Sequence, residues 1–347
     1  MIDSFYKKEH LTGKYLDPFN GFKEKEMPFE IRHDDITGVT CRILPGRYRI
    51  PVKPDIQAYL EKSTTSNCPF CPGLFEKGTP RFTPNISPAG KFQRGKAFLF
   101  PNAFPHDRFN CVAIFSDEHF IGLNELTPEA MQDGFGVCCD YFKRIKEVHP
   151  AVRFCSINWN YMPPAGGALI HPHIQTIVGE NPTSYVARIT AKARSYQEAV
   201  GSNLWRDLIA YEKETDERFI ASTGAIAWMA SFAPQGLAGE IRFIFHGKRS
   251  FFDLTDNDMI DLLAGLSRIF GYLDGKNFIS FNLGLFAGLA ENDDLWVQGR
   301  VLPRISLLPL GTSDVNYFEK LHDEIICPYV PEVIGGELKD LFQTRKE

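Results

Sequence analysis

The chain repeats one pattern of elements, and this duplication constrains its fold more than any other feature of the sequence. Residues 126–133 and 254–261 share the pattern L-T-x-x-x-M-x-D. Each threonine suits a helix N-cap, and Pro128 suits the first helical position. In both copies a strand, a glycine-bearing segment and a second strand follow the helix. Four matches in one order, at near-constant separation, indicate duplication rather than chance.

The order strand–strand–helix–strand–strand predicts antiparallel sheets with helices packed on one face, and hence an α+β fold. The predicted elements of the two copies are helices at 128–148 and 256–273, strands at 152–158 and 277–282, glycine-bearing segments at 163–167 and 284–288, and second strands at 171–175 and 302–306. We predict two tandem units, 35–185 and 215–330, joined by a polar helical connector. Residues 1–35 and 331–347 are expected to be peripheral.

Composition excludes several classes of protein. The chain has 347 residues, 44% of them hydrophobic, which is enough for about two domains. The net charge of −5 and the lack of a basic tract argue against nucleic acids and membrane surfaces as partners. The first residues lack a signal-peptide core, and no apolar run reaches the ~18 residues of a membrane span. Eight cysteines in patterns typical of buried thiols favour the cytoplasm.

The segment His171-Pro-His173-Ile-Gln175 lies in an apolar run that predicts a strand. Alternation places His171, His173 and Gln175 on one face, with neighbours roughly 6.6–7 Å apart. That separation is too large for both imidazoles to act on one small atom, so two different roles are expected. Pro172 predicts an edge or a local distortion. Two structural core histidines are the alternative, but three aligned polar groups argue against it.

A second motif, Cys68-Pro-Phe-Cys71, is a C-x-x-C sequence in a segment rich in proline and glycine. Two thiolates at a tight turn can bind one tetrahedral zinc or iron ion. Two further ligands are then needed, and His119 and His171 are the candidates. A redox pair is less favoured because no strand–helix context surrounds the motif. Incidental thiols remain a third interpretation.

Together these motifs resemble those of the galactose-1-phosphate uridylyltransferases, the transferase branch of the histidine-triad superfamily. The resemblance covers about residues 35–310 and includes the duplication, because that family pairs two histidine-triad-like halves. The motifs shared in order and spacing are Cys68-x-x-Cys71, Asn102-Ala-Phe-Pro, Phe115-Ser-Asp-Glu-His119, Asn160, Gly166-Gly167 and His171-Pro-His173-x-Gln175. ADP-glucose phosphorylases share the Cys/Cys/His/His set and the His-Pro-His-x-Gln strand, so they are a close alternative.

The resemblance implies a role for each matching residue. Cys68, Cys71, His119 and His171 would bind one structural zinc per chain, with iron as the alternative metal. His173 would be the nucleophile, and Gln175 would contact the phosphoryl oxygens. The residues expected to contact substrate are Arg47, Asn102, Asn160, Gly166, Gly167 and Arg304. Arg304 enters this set from the repeat, in which it stands opposite His173, where a cation could meet a sugar phosphate; a surface arginine is the alternative.

The expected reaction moves a nucleoside monophosphate between a nucleotide sugar and a sugar 1-phosphate through a nucleotidyl-histidine. A neutral imidazole is a nucleophile near pH 7, and a sugar phosphate leaves without needing a proton. Gln175 can stabilise charge but cannot deliver a proton, which argues against a hydrolase. Uridylyl transfer to hexose 1-phosphate is ranked slightly ahead of ADP-glucose phosphorolysis. A non-catalytic binding protein is a third class, disfavoured by the intact His173-x-Gln175.

The sequence also departs from the family pattern. Ala103 stands where the uridylyltransferases carry an aspartate near the nucleoside, which leaves the base open, and Gly167-Ala168 occupies the region of a family serine. The second metal site of many members is expected to be missing, because Ser280-Phe-Asn282 stands where a His-x-His would be. A homodimer is compatible with the resemblance, since the family often forms dimers whose active site is completed across the interface.

Overall fold

One long antiparallel sheet forms the centre of the protein. The computed structural model describes residues 5–46, 53–65, 68–307 and 312–344, and within them this sheet has ten strands. The strands are β4 (Phe92–Arg94), β5 (Ala97–Pro101), β6 (Phe109–Ile114), β7 (Phe154–Tyr161), β8 (His173–Gly179), β9 (Phe219–Thr223), β10 (Ile226–Ala230), β11 (Ile241–Phe245), β12 (Ser280–Gly288) and β13 (Gln298–Arg304). Their order across the sheet is β4-β5-β6-β8-β7-β12-β13-β11-β10-β9.

Each half of the sheet has the same internal order. From one end it reads β4-β5-β6-β8-β7 and from the other β9-β10-β11-β13-β12, so the last two strands of each half are exchanged in the same way, as expected of a duplicated unit. The two halves meet where β7 pairs with β12, from Phe154 opposite Gly288 to Tyr161 opposite Phe281. Edge-to-edge pairing lets each half satisfy the backbone groups of the other half's edge strand, so the halves form one sheet. The α+β class is therefore confirmed, while the unit boundaries 35–185 and 215–330 stay predictions.

The remaining elements are helices and a smaller sheet. The helices are α1 (Gln57–Thr65), α2 (Phe75–Gly78), α3 (Pro128–Val148), α4 (Ser184–Val200), α5 (Leu204–Thr215), α6 (Asp256–Gly275), α7 (Tyr317–His322) and α8 (Pro331–Gln343). The smaller sheet has the order β1-β2-β3-β16, and β14 pairs with β15. These strands are β1 (Tyr6–Asp17), β2 (Lys23–Asp34), β3 (Val39–Ile43), β14 (Ser306–Leu307), β15 (Thr312–Ser313) and β16 (Glu324–Cys327). Among the described helices, none has both the length and the apolar character needed to cross a bilayer.

The two repeat helices begin where the sequence predicts. The hydroxyl of Thr127 accepts from the Ala130 amide at 3.3 Å, and that of Thr255 accepts from the Asp258 amide at 3.2 Å. Both α3 and α6 pack on one face of the large sheet and share its main core. A glycine allows close approach in each helix: a Cβ on Gly134 would lie 1.9 Å from a Phe115 ring atom, and one on Gly265 would lie 2.2 Å from a Trp228 ring atom.

The opposite face of the sheet is covered differently in the two halves. In the first half the C-x-x-C segment and α2 pack on β5 and β6, while the side chains at the start of β8 stay partly exposed. In the second half two long helices and the smaller sheet cover this face. Trp205 of α5 and Val186 of α4 share a buried core with Ala227 and Ile244 of that half. The smaller sheet contributes Cys41 and other apolar side chains to the same core. The sequence did not predict this second layer. It also assigned residues 331–347 to the periphery, whereas α8 buries apolar side chains in the main core.

The second half also corrects the predicted alignment of the two copies. The glycine-bearing segment 284–288 is part of β12, and the last strand is Gln298–Arg304 instead of 302–306. Gly284 lies within the strand because the Phe286 ring packs over it, in the space that a larger side chain would need. A Cβ at Gly284 would be 2.6 Å from a Phe286 ring atom. His173 begins β8, and Gln298 begins β13. The prediction that Arg304 stands opposite His173 in the repeat is therefore wrong.

Candidate active site and metal centre

Four side chains that are far apart in sequence converge beside the start of β8. Cys68, Cys71, His119 and His171 each offer one ligand atom, and these atoms lie within 4.8 Å of one another. The Cys71 sulfur is 3.0 Å from Nδ1 of His119 and 3.6 Å from Nδ1 of His171. In a tetrahedral zinc site with ordinary bond lengths, sulfur and nitrogen ligands are about 3.6 Å apart. The cluster therefore fits a tetrahedral metal ion.

The outer nitrogen of each imidazole in the cluster is held by the protein. Nε2 of His171 is 2.9 Å from the Ser116 carbonyl oxygen, and Nε2 of His119 is 3.1 Å from the Ser63 hydroxyl. A carbonyl only accepts, so Nε2 of His171 carries the proton and Nδ1 keeps a free lone pair towards the sulfurs. Such partners are typical of histidines that bind metals. Sequence reasoning did not identify these serines, because neither lies in a recognisable motif.

His173 has one nitrogen engaged and one available. Its Nδ1 donates to the His171 carbonyl oxygen at 2.8 Å, which leaves the lone pair on Nε2. The Phe70 ring packs edge-on against both imidazoles, with centroid distances of 5.8 Å to His171 and 5.3 Å to His173. The two histidines thus have different surroundings, and the separate roles expected from the strand spacing stay a prediction. His171 itself precedes β8, in line with the distortion expected at Pro172.

Burial keeps both imidazoles neutral. It lowers the pKa of His171 to about 4, and it lowers the pKa of His173 below its ordinary value. A neutral imidazole with a free Nε2 can attack an electrophile without first losing a proton.

Gln175 lies on the same sheet face as His173, two residues further along β8. Its Oε1 is 3.5 Å from Nδ2 of Asn102, which is at the limit of a hydrogen bond. Asn102 also donates to Asn110 at 2.8 Å, and Asn110 in turn donates to the Thr176 carbonyl at 2.7 Å. These contacts leave the Nε2 donors of Gln175 directed away from Asn102. Asn102, which is expected to contact substrate, therefore lies next to Gln175.

Asn160 lies on β7, the strand next to the one that carries His173. The β7–β8 ladder ends where Asn158 pairs with Gln175, and this register continued for two more residues puts Asn160 beside His173. Directly opposite residues of an antiparallel pair project on the same face. Asn160 is exposed, whereas His173 and Gln175 are half-buried. The structure thus brings these three predicted site residues together.

The loop after β7 requires glycine at both of the positions that are expected to contact substrate. Gly166 has φ +87°, and a Cβ on Gly167 would lie 2.6 Å from the Asn160 carbonyl oxygen. Met162, at the start of the loop, has φ 68°, a strained value for a residue with a side chain. The chain therefore passes close to Asn160 before it returns to His171. Gly166 and Gly167 shape the site by allowing this approach.

Arg304 lies at the same end of the strands as His173. It is three strands away, which corresponds to a backbone separation of about 14 Å at ordinary strand spacing. Its guanidinium makes a two-point ion pair with Asp314 and donates to Oδ1 of Asn282 at 2.6 Å. Its contact with a sugar phosphate stays a prediction. Asn282 and Asp314 were not identified from the sequence, since an alternating polar residue in a strand is a weak signal. Arg47 lies outside the described residues.

Three comparisons place the chain among known proteins. No protein-family model matches it. It is 32% identical over 341 residues to an uncharacterized protein of Archaeoglobus fulgidus, a match that covers 97% of this chain and 98% of that protein. Identity at this level over nearly the full length shows that the two chains belong to one family.

Solved structures resemble the whole architecture. An ADP-glucose phosphorylase from Arabidopsis thaliana with bound ADP-glucose has a TM-score of 0.68 and 19% identity, covering 92% of this chain and 99% of that one. A galt-like protein from the same plant has a TM-score of 0.66 and 20% identity, with coverage of 90% and 98%. A uridylyltransferase has a TM-score of 0.63 and 17% identity, with coverage of 90% and 98%. The chain therefore belongs to one family with the Archaeoglobus protein, and its fold is the galactose-1-phosphate uridylyltransferase-like fold that its motifs predict.

Proposed function

We propose that the protein is a nucleotidyltransferase that moves a nucleoside monophosphate between a nucleotide sugar and a sugar 1-phosphate, with His173 as the covalent carrier. One observation carries this proposal. The Nδ1 hydrogen bond to the His171 carbonyl leaves Nε2 of His173 as a free nucleophile on an open sheet face, beside the amides of Gln175 and Asn160. Amide donors in such positions suit the oxygens of a phosphoryl group.

In the first half-reaction, Nε2 attacks the α-phosphorus of the nucleotide sugar in line with the leaving oxygen. An N–P bond forms as the P–O bond breaks, and the sugar 1-phosphate departs with the electron pair. It needs no proton, because a phosphate monoester has a second pKa near 6. The positive charge that develops on the imidazole is stabilised by the His171 carbonyl through Nδ1–H. In the second half-reaction a phosphate oxygen of the acceptor attacks phosphorus, and the electron pair returns to Nε2.

Cys68, Cys71, His119 and His171 would hold one metal ion, and two thiolates with two imidazoles favour zinc, with iron as the alternative. With four protein ligands the ion would have a structural role. It would fix His171, whose carbonyl orients the ring of His173. The chain's own residues carry out the transfer.

For the donor, we propose UDP-glucose with a hexose 1-phosphate acceptor, a reaction of galactose metabolism, because the motifs resemble the uridylyltransferases. ADP-glucose phosphorolysis is the second candidate, and Ala103, which lacks the carboxylate of the uridylyltransferase motif, favours it. We place the enzyme in the cytoplasm, since all eight cysteines are free thiols and most of them are buried.

The test is to incubate the metal-replete protein with UDP-glucose and with ADP-glucose separately and to measure its intact mass. We expect a nucleotidyl adduct with one of them, stable to base and labile to acid as a phosphoramidate should be. The nucleotide that stays on the protein identifies the donor. Release of free nucleotide without an acceptor would instead indicate a hydrolase. An active enzyme with sequential kinetics and no adduct on His173 would show that the proposed mechanism is wrong.

A further inference from the structure

We propose that Asn282, in the second half of the molecule, is a positioning residue that fixes the side-chain amide of Asn160 so that its NH2 group faces the phosphoryl group on His173. The inference rests on the proposed function and adds a role for the half that lacks a nucleophile. A hydrogen-bonded chain of four side chains carries it, from Asp314 through Arg304 and Asn282 to Asn160.

The orientation of the Asn282 amide is fixed by two partners that leave no choice. Arginine can only donate, so the atom 2.6 Å from Nη1 of Arg304 must be the carbonyl oxygen Oδ1. The Ala165 backbone oxygen can only accept, so the atom 2.8 Å from it must be Nδ2. Both partners agree on the same orientation. One of the two Nδ2 hydrogens is therefore used at Ala165, and the other remains for Asn160.

This second hydrogen determines how Asn160 is turned. Nδ2 of Asn282 lies 2.7 Å from Asn160, and a donor at that distance needs an acceptor, so Asn160 presents its Oδ1 to Asn282. The NH2 group of Asn160 then points away from Asn282. In the strand order β7 lies between β8, which carries His173, and β12, which carries Asn282, so His173 is on that side. Because Asn282 also holds the Ala165 carbonyl, it fixes the glycine loop and the amide together.

Arg304 is held firmly enough to act as the origin of this chain. Two of its nitrogens bind the two oxygens of buried Asp314, and that carboxylate also accepts from the Ile305 amide at 3.0 Å. Arg304 lies three strands from His173, and its contact on the side of the site is with Asn282. Arg304 therefore acts on the reaction through Asn282 and Asn160.

The test compares Asn282→Asp with Asn282→Ala in single-turnover nucleotidylation of His173. Aspartate keeps the shape and pairs with Arg304, but it cannot donate. Asn160 would then turn its NH2 group towards the new carboxylate and its oxygen towards the phosphate. We expect a loss on the order of 10²-fold in the rate for Asn282→Asp and of about 10-fold for Asn282→Ala. The loss should appear in kcat more than in KM, since the donor acts on charge in the transition state.

A merely structural role predicts the opposite order, because aspartate preserves the contact with Arg304 and alanine does not. Thermal unfolding of both variants separates the two explanations, with Asn282→Asp expected to be at least as stable as Asn282→Ala. The double variant Arg304→Met/Asp314→Asn frees Asn282 without leaving a buried charge, and a loss of about 10-fold is expected there as well. Asn85→Asp, an exposed asparagine whose Oδ1 accepts a hydrogen bond far from the site, is the matched control and should react like wild type.

The outcomes are distinguishable. If the wild type forms no adduct with any nucleotide sugar, the proposed function fails and this inference fails with it. If the wild type reacts but Asn282→Asp is as fast as Asn282→Ala or faster, Asn282 does not orient Asn160, and the proposed function stands alone.

Discussion

The two halves of the large sheet use the same face in opposite ways. One row of directly paired residues crosses it from Gln175 through Asn158, Gly284 and Arg300 to Arg242, so all of these positions project on one side. In the first half that side is open around His173, Gln175 and Asn160. In the second half α4, α5 and the smaller sheet cover it, and Arg242 is only 4% exposed. The sheet face that carries the candidate site in the first half is therefore buried inside the protein in the second half.

The types of polar residue in each half follow from whether α4, α5 and the smaller sheet bury this face. The covered half holds arginines and carboxylates that have each other as partners, such as Arg218 with Glu212 at 3.1 Å and Arg300 with Glu240 at 3.7 Å. Charged groups without water need such partners. The open half instead carries neutral amides with free N–H donors and a neutral imidazole with a free lone pair on Nε2, all of which remain available to a ligand. Burial therefore distinguishes charged residues that pair with one another inside the protein from polar residues whose hydrogen-bonding groups remain accessible.

The largest difference in activity is expected between a substitution at the first residue of β8 and one at the first residue of β13. His173→Gly should lower transfer on the order of 10⁴-fold or more, because the covalent carrier is gone. Metal binding should persist, since His171 is unchanged, and added imidazole could fill the vacated space and restore the first half-reaction. Gln298→Ala is the matched change in the covered half and should leave kcat of the folded enzyme near wild type. Steady-state kinetics and metal analysis check both, and an active His173→Gly would remove the proposed role.

The metal cluster gives the next largest effect. Cys71→Ser replaces a thiolate with a poor zinc ligand, so the metal content should fall from about one equivalent per chain to near zero, with a lower melting temperature. Cys139→Ser changes a half-buried thiol outside the cluster and should retain the metal. Elemental analysis and thermal unfolding are the measurements. A metal-free protein that is fully folded and active would contradict a structural metal at this place.

Much of the first half could be predicted from the sequence, because its signals are local. The C-x-x-C turn, the alternation around His173 and the glycines after β7 each impose a spacing that the fold preserves. His119 and His171 could be named as candidate ligands from the sequence, but only the resemblance assigns both to the metal cluster, since nothing local indicates which distant histidines meet the thiols.

The second half was predicted less well, because its determinants are tertiary. Glycines in 284–288 predict a loop, but Gly284 remains in β12 since the Phe286 ring fills the space beside it. The cover by α4 and α5 depends on contacts between segments far apart in the chain, such as Trp205 of α5 with the carbonyl of Asp294. The role of Asn282 depends on two strands from different halves pairing in one register.

Breaking an ion pair in the covered half should affect stability and spare catalysis. Arg218 and Glu212 are both almost fully buried, so Arg218→Met leaves a carboxylate without its main partner, at a cost of about 3–5 kcal/mol. The double variant Arg218→Met/Glu212→Gln removes the stranded charge and should recover much of that loss. Denaturant unfolding measures both variants, and kcat of the folded fraction should stay near wild type. A large drop in kcat would mean that the covered face is coupled to the reaction.

The smallest effect is expected on the outer surface of α6. Gly271 is exposed, and a Cβ there would meet no atom within 4 Å, so Gly271→Ala should gain about 0.5–1 kcal/mol from helix propensity alone. The melting temperature should rise by about 1–3 °C with activity unchanged. Gly265→Ala in the same helix is the matched control, because its Cβ would lie 2.2 Å from Trp228 and overpacking costs about 1–3 kcal/mol. Equal shifts for the two variants would show that α6 does not pack on the sheet as closely as the structure has it.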